Sequence, residues 1–288
     1  MYHIFTDTSA NLPVDLLKKH GIAVVALRYS VDGAESSAFC SSTGEFDGHT
    51  FYEKLRGGAE VKTTMANLSD FTEVFRPVLM RGEDVLHIGL SGGISGTSRG
   101  AELAAAELRT EFPNRTVQVI DTKAASLGEG LSVLLAAELR EEGHSLEEVA
   151  RQVVTYTEKV CQYFTVPDLH YLQKGGRVSR LTARIGSMLN IKPILQSNEA
   201  GEIVLHGKVR GQRRALEALA RVYNELCRDR SGRIGIAHAD APEDADALLG
   251  QLRTLGFTGD CVNVCYEPVT GAHVGPGAVA LFFPGIHR

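Results

Sequence analysis

The stretch Asp84-Val-Leu-His-Ile-Gly-Leu-Ser-Gly-Gly-Ile-Ser-Gly-Thr-Ser-Arg-Gly-Ala101 runs from an apolar segment through a Gly/Ser/Thr turn into an Ala/Glu/Leu-rich segment. Residues 85–90 read as a buried strand and residues 97–110 as a helix. Such a turn gathers hydroxyls and free backbone N–H groups at the positive end of a helix, which suits an anion such as a carboxylate or phosphate. It holds no Lys, so it is no Walker loop, and Gly93-Ile-Ser-Gly-Thr97 lacks the last glycine of a G-x-S-x-G nucleophile elbow. A plain strand-to-helix connection fits the same residues equally well.

Working outward, the pattern alternates. Strands are predicted over 2–5, 22–27 and 116–120, and helices over 14–19, 51–55, 69–80 and 124–142. Residues 30–48 read as a polar loop, and Lys62-Thr-Thr-Met-Ala-Asn67 as a hydroxyl-bearing turn. Alternation of this kind implies a parallel sheet with ligand-accessible loops at its strand C-termini. Ser145-Leu-Glu-Glu opens a capped helix to about residue 159, where a boundary is expected. Beyond it, strands over 162–166, 193–196, 203–206, 233–238, 262–266 and 279–283 surround helices over 181–189, 212–227 and 242–255. Asn198-Glu-Ala-Gly201 reads as the turn of a hairpin. The expectation is an α/β protein of two domains: a parallel-sheet domain over 1–158 and a mixed-sheet α+β domain over 159–288.

The 288 residues exceed what one core usually serves. A net charge of −5 argues against a general nucleic-acid binder. No apolar run approaches the ~20 residues needed to cross a bilayer, and no signal peptide is expected at the start. Stable membrane insertion is therefore not expected, and only transient membrane contact stays open. Five cysteines, an odd count, suggest free thiols in a reducing cytoplasm. Cys261 and Cys265 share a strand face without nearby His, so core thiols are expected rather than a metal site.

Motifs in order along nearly the whole chain resemble those of the DegV family, the bacterial fatty-acid-binding proteins. Thr6-Asp-Thr-Ser-Ala-Asn-Leu-Pro13 is similar to T-D-S-T-A-D-L-P, and Thr63-Thr64 sits where the family carries T-S-Q-P. Ile94-Ser-Gly-Thr97 matches L-S-G-T, and Val119-Ile-Asp-Thr-Lys-Ala-Ala-Ser-Leu-Gly128 matches V-I-D-S-x-x-x-S-x-G. Asp168-Leu-His-Tyr-Leu-Gln-Lys-Gly-Gly-Arg-Val-Ser179 and the later Leu189-Asn-Ile-Lys-Pro-Ile194 resemble D-L-x-Y-L-x-K-G-G-R-I-S and L-N-I-K-P-I. His273-Val-Gly-Pro-Gly277 resembles H-x-G-P-G. Departures include Thr64-Met-Ala-Asn67 in place of S-Q-P-S and Gly92 where a second serine is common; they bear on ligand choice more than ligand class.

The resemblance implies a carrier, not a catalyst: the lipid-binding subunit of a bacterial fatty-acid kinase. A long-chain fatty acid would lie between the two domains, its carboxylate presented to a separate kinase catalytic subunit for phosphorylation by ATP. No cofactor or metal is implied. By motif match, Thr63 and Ser95 would hydrogen-bond the carboxylate, with His273, Gly96 and Thr64 beside them. Arg177, in the basic turn Lys174-Gly-Gly-Arg, would contact the partner kinase or simply hold a backbone carbonyl. Asp7, Thr8 and Ser9 would face the cleft or serve as helix caps. Lys208, Arg210, Arg213 and Arg214 form a basic run best read as a solvated helix start. The rival class is a serine hydrolase with Ser95, His273 and Asp7 as a triad. Phosphate binding by the 91–97 turn is a further rival, which the turn's lack of cations before Arg99 disfavours.

Overall fold

The computed structural model describes residues 1–38, 46–178 and 190–288. Four strands, β1 (Tyr2–Asp7), β2 (Ile22–Val25), β6 (Asp84–Gly89) and β7 (Val117–Asp121), form an all-parallel sheet in the order β2-β1-β6-β7. Each return runs through helices: α1 (Val14–Lys19) between β1 and β2, α3 (Leu68–Met80) before β6 and α4 (Thr97–Glu111) before β7. Strands such as Val85 to Ile88, apolar but for His87 and all fully buried, are what a parallel sheet covered on both faces requires.

The second sheet is mixed. Its order is β10-β9-β8-β13-β11-β12, from β8 (Val160–Thr165), β9 (Ile191–Ser197), β10 (Ile203–Arg210), β11 (Ile234–His238), β12 (Cys261–Cys265) and β13 (Val279–Pro284). Only β11 and β12 pair in parallel; the other neighbours are antiparallel. The expected hairpin is present as β9–β10, with Gly201 at φ 77° in its turn. Helices α8 (Gln212–Leu226) and α9 (Pro242–Thr254) pack beside this sheet. The helix expected over 181–189 lies outside the described residues.

Helix α5 (Leu127–Glu141) sits between the two sheets, touching β1 and β6 of one and β8, β11 and β13 of the other. Leu127, Leu131 and Leu134 join Ile4 and Leu86 on one side and Ala237 and Phe282 on the other in one continuous core. A helix apolar almost all round is a buried helix, and this one ties the halves together. Its successor α6 (Leu146–Thr157) opens with the capping box anticipated at Ser145, whose hydroxyl accepts from the Glu148 N–H.

Between β2 and α3 two segments differ from the sequence reading. Part of the expected polar loop is a hairpin of β3 (Arg28–Val31) and β4 (Ala34–Ser37), turned at Asp32-Gly33 with φ of 50° and 85°. The expected turn over 62–67 begins as a strand, β5 (Val61–Thr64), which adds to β3 and completes a three-stranded antiparallel sheet. Helix α2 (Gly48–Arg56) backs this sheet, with Phe51 edge-on to Tyr29 at 5.9 Å between ring centroids.

Candidate functional site

A cavity of about 290 Å³ opens where the C-terminal ends of the parallel strands meet the mixed sheet. Its wall is largely apolar: Leu27, Leu90, Phe164, Leu172, Ile203, Val269 and Phe282 all line it. One end carries a polar cluster made by four separate elements.

The first contributor is the turn after β6. The N–H groups of Ile94 and Ser95 donate back to the Ser91 carbonyl, and the Ser91 hydroxyl donates to the Gly201 carbonyl at 2.9 Å. A Cβ on Gly93 would lie 2.5 Å from the Ala200 carbonyl oxygen, so glycine lets the hairpin tip close over the turn. Gly96 caps α4, and the Ser95 hydroxyl accepts from the Thr97 N–H at 3.2 Å while donating to Thr97 Oγ1 at 3.0 Å. Ser95 thus braces the first residue of α4 and also lines the cavity.

Thr63 comes from β5, held opposite Tyr29 by strand pairing. His273 comes from the last turn of a short helix that sequence reading missed, α10 (Pro268–Val274). Pro268 opens that helix, and the Glu267 carboxylate caps it by accepting from the N–H groups of Val269 and Thr270, each at 2.6 Å. The Thr63 hydroxyl and His273 Nε2 share a hydrogen bond of 2.9 Å. Burial, then the neighbouring Arg177 charge, pushes the His273 imidazole down to about 4, so it is neutral at pH 7. Gly175 lies directly against His273 Nδ1, where a Cβ would collide.

The fourth contributor is Arg177, just beyond helix α7 (His170–Lys174). Sequence reading placed it on an exposed turn. It is instead partly buried and lines the cavity, because its guanidinium turns inward to donate from Nε to the Ile94 carbonyl at 3.1 Å and from Nη1 to the Gly175 carbonyl. Thr63, Thr64, Ser95, Gly96, His273 and Arg177, scattered over 210 positions of sequence, therefore border one space. Thr64 and Gly96 lie at its exposed rim, with Met65 Sδ 2.5 Å from where a Gly96 Cβ would stand.

The other candidates divide. Asp7 is fully buried and accepts from the N–H groups of Ser9 and Leu90, and Thr8 Oγ1 accepts from the Leu27 N–H at 2.7 Å. Ser9 does line the cavity, but its hydroxyl donates to Glu129 at 2.5 Å. Glu129, which also accepts from Thr6 Oγ1 at 2.7 Å, was not singled out from sequence; burial first and the Asp7 charge second hold its carboxyl well above the usual range. The proposed triad is not assembled. Among the described residues no hydrogen bond joins Ser95 to His273 or His273 to Asp7; His273 Nε2 faces Thr63 and Asp7 holds backbone amides.

Away from the cavity, Arg213 pairs with Glu217 at 3.6 Å on the surface of α8, whereas Lys208 and Arg210 are not part of the expected helix start: they are exposed on strand β10, which runs to Arg210. Cys161, Cys227, Cys261 and Cys265 are free thiols. His49, Glu53 and Asp240 bring potential ligand atoms within 4.8 Å of one another, but Arg56 contacts both carboxylates and already supplies the countercharge. Among the described residues no helix is long and apolar enough to cross a membrane.

A family model described as an uncharacterised protein of the DegV family matches residues 1–284. The DegV domain-containing protein CPE0026 of Clostridium perfringens is 35% identical over 283 residues, covering 98% of this chain and 97% of the relative. A DegV family protein from Thermus thermophilus, whose structure is described by its fatty acid binding, superposes with a TM-score of 0.87 at 31% identity, covering 99% of each chain. The fatty acid binding DegV family protein SAG1342 from Streptococcus agalactiae superposes with a TM-score of 0.86 at 31% identity over 98% of each chain.

Proposed function

Because the chain belongs to the DegV family, we propose that it binds a long-chain fatty acid and presents the carboxylate to a separate ATP-dependent fatty-acid kinase, without catalysis of its own. The observation that carries this reading is the form of the cavity: an apolar space between two sheets that ends in the Thr63, Ser95, His273 and Arg177 cluster. Hydroxyls and helix N-terminal amides can hold a carboxylate without neutralising it completely. Arg177 adds a positive charge to the same corner, and neutral His273 offers a hydrogen bond without a second one. An acyl tail of ~14 methylenes at ~0.8 kcal/mol each gives roughly 11 kcal/mol of gross drive before ordering costs. The tail then supplies affinity while the polar corner fixes which end faces solvent.

Thr64 and Gly96, at the rim, leave the head group within reach of a partner. The carrier uses no cofactor or metal in this reading and works in the cytoplasm beside the kinase. Denaturing extraction of purified protein followed by mass spectrometry should yield about one acyl chain per protein. A protein that is empty and also fails to take up added palmitate or oleate would refute the assignment.

A further inference from the structure

The cavity carries a further polar side chain in its lining besides the Thr63, Ser95, His273 and Arg177 cluster. Ser126, at the junction of β7 and α5, lines it, is 1% exposed, and its hydroxyl has no hydrogen-bond partner among the described residues. It does not cap α5, although it occupies the N-cap position. Two other polar side chains of the lining, Ser9 and Gln162, are committed. The Ser9 hydroxyl donates to Glu129. The Gln162 amide accepts from the Ala125 N–H at 3.2 Å and donates to the Lys123 carbonyl at 3.4 Å. Ser126 also adopts φ 53° and ψ −139°, a left-handed conformation disfavoured for any residue with a Cβ.

A buried hydroxyl without a partner is destabilising relative to a satisfied one. Alanine would fill the same position without that cost. We propose that Ser126 is a polar subsite within the acyl channel, and that the ligands it favours are fatty acids carrying a hydroxyl along the chain. A hydroxyl matches Ser126 in both directions, since each group donates one hydrogen bond and accepts others. The subsite residue comes from an element of its own: Ser126 sits between β7 and α5, whereas Thr63, Ser95, Arg177 and His273 come from β5, the 91–96 turn, the end of α7 and α10. The inference rests on the fatty-acid reading and narrows it to a ligand class.

The test is competition binding of stearate against a series of monohydroxystearates with the hydroxyl placed from carbon 2 to carbon 17. One in-chain position should bind on the order of tenfold tighter than stearate. Ser126→Ala should erase that preference, so that no monohydroxystearate binds the variant tighter than stearate binds it. Should Ser126→Ala fold poorly, Ser126→Gly removes the same hydroxyl with a residue suited to positive φ. Stearate binding with no preference for any hydroxylated chain would overturn the subsite alone, whereas failure to bind stearate at all would overturn the fatty-acid reading. A preference confined to the 2-hydroxy acid, or one that survives in Ser126→Ala, would also overturn the subsite.

Discussion

Thr63→Val tests the polar corner most directly. Valine keeps the β-branched shape that suits β5, so the strand and its pairing with Tyr29 should persist. What disappears is one hydroxyl, 2.9 Å from His273 Nε2. Two losses follow. Ligand-free protein loses one neutral hydrogen bond in a partly buried site, about 1 kcal/mol of stability. Bound protein loses a charge-assisted hydrogen bond to the carboxylate, about 1.5–3 kcal/mol, which is roughly ten- to a hundredfold in affinity. Ser95→Ala should weaken binding by a similar factor and also lose the contact to the Thr97 N–H, costing about 1 kcal/mol of helix stability. Because both hydroxyls serve one carboxylate, the double variant should fall short of the sum. The assay is a fatty-acid titration of delipidated protein, paired with a melt of the ligand-free form to separate binding from folding. Unchanged affinity in both single variants, with normal melts, would show that the carboxylate binds elsewhere.

Two further outcomes are expected. Incubated with ATP, magnesium and a fatty acid, the chain alone should form no acyl phosphate, and adding a fatty-acid kinase should produce it; product from the pure chain would refute the carrier reading. Ligand-free stability should carry a pH signature from His273, whose imidazole falls from an ordinary value of 6.5 to about 4 in the fold. The unfolded chain then binds more protons between those values, so this contribution is complete above pH 6.5 and is lost as pH falls towards 4, up to about 3 kcal/mol. Glu267, pushed up to about 7 by burial, acts in the opposite sense as pH rises, so the measurement is the difference between parent and His273→Gln denaturation curves across pH 4–7. A difference that does not vary with pH would show that His273 titrates normally.

The sequence was most legible where local pattern and tertiary demand agree. Residues 84–101 read correctly as strand, turn and helix because a parallel strand buried on both faces must be continuously apolar, and its turn must be small enough for the hairpin tip to approach Gly93. Elements failed to register where their support is tertiary. The strands β3 and β4 are polar and short, with β4 exposed throughout, so they show little apolar alternation; the available signal was the Asp32-Gly33 pair, a hairpin turn with both residues at positive φ. Helix α10 is seven residues with an interior glycine, held by a Glu cap rather than the usual Ser, Thr, Asp or Asn. Its signal was the pairing of Pro268 at the start with Gly275 after the end.

The hairpin supports β5, which carries Thr63, and α10 carries His273, so half of the polar corner depends on the elements that were hard to read. Thr63 reaches His273 only because β5 joins β3, and β3 is placed by a hairpin whose own burial is slight. His273 reaches Thr63 only because Glu267 holds α10 and its own N–H is fixed by the Asn11 side chain at 2.8 Å. Asn11 lies just past the end of the first strand, and it also donates to the Cys265 carbonyl at 3.2 Å. A residue in the loop of one sheet therefore sets the helix that carries a site residue of the other. The Asn11 side chain makes both bonds at φ 55°, a backbone conformation that asparagine tolerates better than most residues. Motif matching marks Asn11 only as one position of the Thr6–Pro13 block, yet its two hydrogen bonds tie the end of the first strand to β12 and to the start of α10.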